Sequence, residues 1–260
     1  RLWLNQAPHS WGFLFIDILG LLECNIALMK RFLPLLMLIT GLMSAQKPLK
    51  YLTNSPDSAQ SQMPALFLMH GYGNNEKQFN KLLEAYNNKF LIVSMRAPFR
   101  SMVLFNRWYE YSISNGDTLS NQLQITESTN RIIHTIEHIK NEYNIDEKKM
   151  FIGGFSQGAI MSYKLALLYP QNFLGLIVHS ARLPVEYSIL KSSDYYKNLN
   201  VLIIHGSEDN TLTTKWAFQG KMLFEQLGSN TEYFETNIGH EMTKVTIDKI
   251  IEWLSYFEVD

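Results

Sequence analysis

The chain is 260 residues long, 46% hydrophobic and 18% charged, a balance that excludes a disordered or collagen-like polymer and suffices for one large core or two small ones. Twenty-three basic against twenty-four acidic side chains leave a net charge of -1, so no basic field is available to hold a nucleic-acid backbone. One cysteine, Cys24, can close no internal disulfide and cannot build a clustered-cysteine zinc site.

Met29-Lys30-Arg31 precedes an apolar stretch from Phe32 to Met43 and then Ser44-Ala45-Gln46, the three zones of a secretory signal peptide. The pattern predicts an extension upstream of the natural start over residues 1–28, a signal peptide over 29–45 cleaved after Ala45, and a domain over 46–260. The apolar stretch contains Pro34 and Gly41 and is short for a bilayer core of about 30 Å; an uncleaved anchor is the alternative. Trp11 to Met29 makes a poor span, because Asp17 and Glu23 would each cost about 2 to 3 kcal/mol at mid-bilayer. The mature chain is therefore expected to be secreted, or periplasmic or otherwise in the cell envelope, with no stable membrane span and no cysteine, as suits an oxidising compartment.

Beyond the polar stretch Asn54 to Gln62, short apolar runs alternate with helical patterns, the rhythm of a mostly parallel sheet covered by helices. Strands are predicted at Leu49 to Thr53, Ala65 to Met69, Phe90 to Ser94, Met150 to Gly153, Phe173 to Val178, Val201 to His205 and Thr231 to Glu235. Helices are predicted at Glu76 to Asn87, Leu119 to Tyr143, Gln157 to Tyr169, Thr214 to Leu227, where Gly228 offers a C-terminal cap, and Glu241 to Tyr256. Met95 to Thr118 and Ser180 to Asn198 are read as rim loops, where binding surfaces usually lie.

Gly153-Gly154-Phe155-Ser156-Gln157-Gly158 follows a predicted strand and opens a predicted helix, the setting that gives G-x-S-x-G its meaning as a nucleophile elbow. Flanking glycines allow close backbone approach and push the Ser156 hydroxyl to the tip of the turn. A serine hydroxyl needs a base, and the base a carboxylate that fixes its tautomer. Asp209, in the loop after the sixth strand, and His240, between the last strand and the last helix, fall on the same sheet edge in the expected order. Glu208 is the rival carboxylate. His205 and His70 are read as loop-holding histidines, His179 as a pocket candidate, and His9 as outside the domain.

His134-Thr135-Ile136-Glu137-His138 matches a zinc-peptidase pattern. On a helix, Ile125, Ile132, Ile136 and Ile139 define the apolar stripe and both histidines point away from it, so no metal or other cofactor is expected. The oxyanion donors are assigned to the backbone N–H of Gln157, after the nucleophile, and that of Tyr72 in His70-Gly71-Tyr72-Gly73. Among the rim aromatics Phe99, Phe105, Trp108, Tyr109 and Tyr111, the pair Trp108 and Tyr109 is assigned with His179 to the substrate pocket, although core packing accounts for such a cluster equally well.

Taken together, His70-Gly71-Tyr72-Gly73, Arg96-Ala97-Pro98, Trp108-Tyr109-Glu110, Gly153 to Ala159, Leu183-Pro184, His205 to Asp209 and Gly239-His240 resemble the phospholipase/carboxylesterase family of α/β-hydrolases, the group that includes acyl-protein thioesterases. The resemblance covers about Pro64 to Phe257. It implies an α/β-hydrolase fold with about seven strands, a mostly parallel twisted sheet, helices on both faces and no large cap domain. It also implies a serine hydrolase of small carboxylic esters or thioesters, with Ser156, Asp209 and His240 as triad and a small molecule as partner. Tyr72, Asn74 and Asn210 depart from the family's usual leucine, acidic residue and proline. A serine peptidase on this scaffold and a non-catalytic hydrolase-like binding protein are the alternatives.

Overall fold

Apolar runs whose side chains alternate between two faces build the centre of the computed structural model, which describes residues 47–54, 62–85, 89–101, 105–114, 117–184 and 194–258. The expected upstream extension and signal peptide, and most of the polar stretch after Asn54, lie outside the described residues. From Pro48 onward the described residues belong to one compact unit. No helix among them is long and apolar enough to cross a membrane.

Seven strands form one sheet: β1 (Tyr51–Thr53), β2 (Met63–Met69), β3 (Leu91–Met95), β8 (Ile145–Phe155), β9 (Gly175–His179), β10 (Asn200–Gly206) and β11 (Asn230–Thr236). Their spatial order is β1-β3-β2-β8-β9-β10-β11. β1 runs antiparallel to β3, and every other pair is parallel. Within β2, Ala65, Phe67 and Met69 face one core, whereas Leu66 and Leu68 face the other. β10 divides in the same way, with Val201 and Ile203 against Leu202 and Ile204. A strand covered on both sides must be apolar at consecutive positions, which explains the unbroken runs in the sequence.

The two cores recruit different helices. Ile125, Ile132, Ile136 and Ile139 of α2 (Gln122–Glu142) join the first core, with the buried side of α3 (Gln157–Leu168) and of α5 (Thr214–Leu227). Leu82 and Leu83 of α1 (Asn80–Ala85) join the second, with Ile247, Ile250, Trp253 and Leu254 of α6 (Lys244–Ser255). Helices thus cover both faces, and α5 ends on Gly228 in the left-handed region, φ 88°. The helix expected from Glu76 begins as a 3-10 turn, Glu76–Phe79, before α1.

Two expectations need correction. The segment from Met95 to Thr118 is not plain loop: β4 (Phe99–Ser101) pairs with β5 (Phe105–Arg107), and β6 (Tyr111–Ser114) pairs with β7 (Asp117–Ser120), each antiparallel. The described side chains of β6 are all exposed, so cross-strand hydrogen bonding rather than core burial holds that hairpin. The second expected rim loop carries a one-turn helix, α4 (Asp194–Lys197).

β2 leads to β3 on one side of the sheet, while β8 opens the other side. The loops after β2 and β8 therefore diverge and leave a crevice at the carboxyl ends of the strands, where open α/β sheets bind ligands.

Candidate active site

Ser156 links β8 to α3 with φ 52° and ψ -120°, a conformation that costs an L-residue about 1 to 3 kcal/mol. The surroundings impose it. Its N–H donates to the carbonyl of His179 on the neighbouring strand, 2.9 Å away. A Cβ at Gly154 would lie 2.5 Å from the Met69 carbonyl oxygen, and one at Gly158 only 2.0 Å from it. The two glycines let α3 press against β2 so closely that the serine is left at the apex.

β10 and β11 deliver the other two groups. The N–H of Ser207 donates to Thr236 O at 2.9 Å, and that of Glu208 to Ile238 O at 3.0 Å, so the loops after the two strands are tied together. Gly206 makes this approach possible, since a Cβ there would lie 2.2 Å from Ile238 O. Asp209 is buried, and its Oδ1 accepts from the N–H groups of Thr211 and Leu212 at 2.9 and 2.8 Å. Its Oδ2 lies 2.6 Å from His240 Nδ1. An ionised carboxylate can only accept, so Nδ1 carries the ring proton and Nε2 presents a lone pair. That Nε2 is 2.9 Å from Ser156 Oγ, close enough to accept the hydroxyl proton. Phe155 packs beneath the imidazole, with ring centroids 5.0 Å apart.

Glu208 is exposed whereas Asp209 is buried, so burial and contact both favour Asp209 over its neighbour. His205 is buried beside Asp209, its Nε2 donating to Leu212 O at 2.6 Å. His70 is fixed as well: Nδ1 donates to Gly71 O at 2.7 Å and Nε2 accepts from Ala97 N–H at 3.0 Å. Both histidines hold loops. His134 and His138 sit half-buried on α2, with His138 Nε2 3.2 Å from Glu142. Among the described residues no group of three or more His, Cys, Asp or Glu side chains is placed to hold a metal.

The N–H groups of Tyr72 and Gln157 find no protein acceptor among the described residues. For Gln157 this follows from its place at the first helical position, where no intrahelical acceptor exists. The Tyr72 loop is braced on both sides, Gly71 N–H donating to Gln78 Oε1 at 2.8 Å and Gly73 N–H to Asn106 O at 2.8 Å. Tyr72, Tyr109, Tyr111, Ser156 and Gln157 line one cavity of about 160 Å³, together with Arg182 and Leu212.

The expected pocket residues separate. Tyr109 lines the cavity, but Trp108 and His179 do not, and both assignments are corrected. Trp108 is fully buried, and its indole N–H donates to His70 O at 2.8 Å; a buried Trp needs such an acceptor, which turns the ring inward. His179 ends an inner strand and is buried against Phe155, with centroids 5.1 Å apart. A function missed in the sequence belongs to the Gln157 side chain. Its Oε1 accepts from Trp108 N–H at 2.9 Å and its Nε2 donates to Tyr109 O at 2.8 Å, clamping the pocket wall to the elbow.

Buried imidazoles give this site a pH dependence of stability. Burial pulls His70 down to about 4, and burial followed by the charges of His205 and His240 pulls His179 down to about 3. In the unfolded chain each titrates near the usual value of about 6.5. Between that value and about 4 the unfolded chain binds protons that the folded chain refuses, so stability is fully present above pH 6.5 and declines as pH falls through the window. Urea unfolding between pH 7 and 5 is expected to show this decline, and His70→Gln to make it shallower by about one proton's worth. A slope of zero in the parent chain contradicts neutral burial.

A family model described as Phospholipase/Carboxylesterase matches residues 53–258. The chain is 28% identical over 202 residues to acyl-protein thioesterase 1 homolog 1 of Dictyostelium discoideum, covering 72% of this chain and 87% of that protein. It is 27% identical over 195 residues to an acetyl esterase of Caldicellulosiruptor saccharolyticus, covering 68% and 67%. Among solved structures, a Bacillus cereus carboxylesterase superposes with TM-score 0.69 at 20% identity, covering 83% of this chain and 97% of that one. Zea mays acyl-protein thioesterase 2 superposes with TM-score 0.66 at 19% identity, covering 80% and 98%. These two structures share the α/β-hydrolase fold with this chain.

Proposed function

Since this chain belongs to the phospholipase/carboxylesterase family of hydrolases, we propose that it is a serine hydrolase that cleaves small carboxylic esters or thioesters through an acyl-enzyme. The observation that carries the reading is the unbroken hydrogen-bond chain from Asp209 Oδ2 through His240 to Ser156 Oγ, with links of 2.6 and 2.9 Å.

His240 Nε2 takes the Ser156 proton as Oγ attacks the acyl carbon. Negative charge that develops on the carbonyl oxygen is met by the N–H groups of Gln157 and Tyr72, each such donor being worth about 3 kcal/mol in acyl transfer. Asp209 keeps the imidazole in the accepting tautomer and offsets its transient positive charge. His240 then protonates the departing alcohol or thiol, and a water molecule repeats the cycle on the acyl-enzyme with the same base. The serine hydroxyl, hydrogen-bonded to His240, lines the cavity, and the walls contributed by Tyr109, Ile160 and Leu212 accommodate a short apolar group.

The test is a panel of p-nitrophenyl esters and the matching thioesters across acyl lengths. Turnover of the short-chain members, with a burst of one p-nitrophenol per active site wherever deacylation is slower than acylation, supports the reading. No turnover of any member overturns it.

A further inference from the structure

The cavity that holds Ser156 does not end at the serine. Tyr109, Thr118, Ile160 and Arg182 line it and also line a second cavity of about 210 Å³. That space equals about seven water volumes, room for a side arm of a few carbons. Lys164, on α3, lines the second cavity, and no Asp or Glu among the described residues lines either one.

Arg182 is half-buried, and its one partner among the described residues is a neutral hydroxyl, Ser120 Oγ, 3.3 Å from Nη2. Two other arginines differ: Arg96 pairs with Glu76 and Arg107 with Glu110. A guanidinium carries five N–H donors in a planar fork that matches a carboxylate in two parallel bonds. Among the described residues most of that capacity at Arg182 is unused, and it lies on the wall shared with the nucleophile's cavity.

Direction follows from the reaction proposed above, on which this inference rests. The leaving group must lie against His240, which protonates it. The second cavity is lined by no residue of the His240 loop or of the Asp209 loop, so it receives the acyl arm. We infer that the acyl arm of the preferred substrate ends in a carboxylate bound by Arg182, which makes the substrates half-esters or half-thioesters of short dicarboxylic acids.

The experiment compares p-nitrophenyl hydrogen succinate with its neutral methyl ester, each corrected for spontaneous hydrolysis. The parent chain is expected to favour the anionic ester by about tenfold or more in kcat/KM, mainly through KM, and the preference to shrink as salt is added. Arg182→Gln is expected to bring the ratio within about twofold of unity and Arg182→Lys to retain part of it; hydrolysis of the neutral ester by the same variant reports that it has folded. A parent ratio of one or below overturns the inference alone. A preference that survives Arg182→Gln overturns the assignment to Arg182. Failure to hydrolyse either ester, while short-chain p-nitrophenyl esters are turned over, overturns the inference alone; failure on those esters as well overturns the hydrolase reading and the inference with it.

Discussion

Ser156→Ala is expected to lower turnover of a short-chain aryl ester by about 10⁴- to 10⁶-fold, the scale at which loss of the nucleophile acts in a serine triad. The loss reaches this size because the hydroxyl is the only group at the elbow able to form the covalent bond, and His240 Nε2, 2.9 Å away, has no other proton to remove there. Alanine keeps the Cβ and the backbone, so the turn held by Gly154, Gly158 and the Ser156 N–H bond to His179 persists. Stability should therefore move by no more than about 1 kcal/mol, the scale of one hydrogen bond. Circular dichroism and urea unfolding check the fold beside the kinetics. A variant that keeps a tenth of the parent rate contradicts the assignment.

The second large effect belongs to Asp209→Asn, with kcat expected to fall by about 10⁴-fold. An amide can reproduce the contacts of Oδ1 with the Thr211 and Leu212 N–H groups, so the loop survives. It then directs an NH₂ rather than an oxygen at His240 Nδ1. The imidazole is driven to carry its proton on Nε2, which donates to Ser156 instead of accepting from it. The neighbouring substitution Glu208→Gln, at an exposed side chain, should leave kcat within about twofold, as surface changes usually do. Reversal of the two results would move the carboxylate role to Glu208.

Much of this molecule is written in local pattern. The seven strands of the main sheet were legible because doubly covered strands are apolar at consecutive positions between turn residues. α5 was legible to the residue because Gly228 marks its end. Ser156 was legible because the elbow needs glycine on both sides, a demand that Gly154 and Gly158 meet by contact with β2. Asp209 and His240 followed from chain order and sheet edge.

What escaped depends on contacts between distant segments. Trp108 reads as a rim aromatic until the indole N–H is seen to find its acceptor on His70. His179 reads as a strand-end polar group until Phe155 closes over it. The β6–β7 hairpin did carry a signal: Tyr111-Ser112-Ile113-Ser114 and Asp117-Thr118-Leu119-Ser120 alternate in polarity on either side of Asn115-Gly116, a dipeptide suited to a tight hairpin turn. The Gln157 clamp and Arg182 had no comparable signal, since a glutamine's partners 48 and 49 residues away and an arginine without a carboxylate are facts of tertiary structure.

On the proposed mechanism Ser156 is a nucleophile activated by His240 and Asp209. A fluorophosphonate bearing a small alkyl group tests it most directly, with the labelled chain digested and the modified peptide identified by mass spectrometry. The expected result is one adduct per chain on Ser156, absent from Ser156→Ala and formed about 10³-fold or more slowly in Asp209→Asn. A chain that stays unlabelled while folded, or that carries the adduct on another residue, would contradict the account.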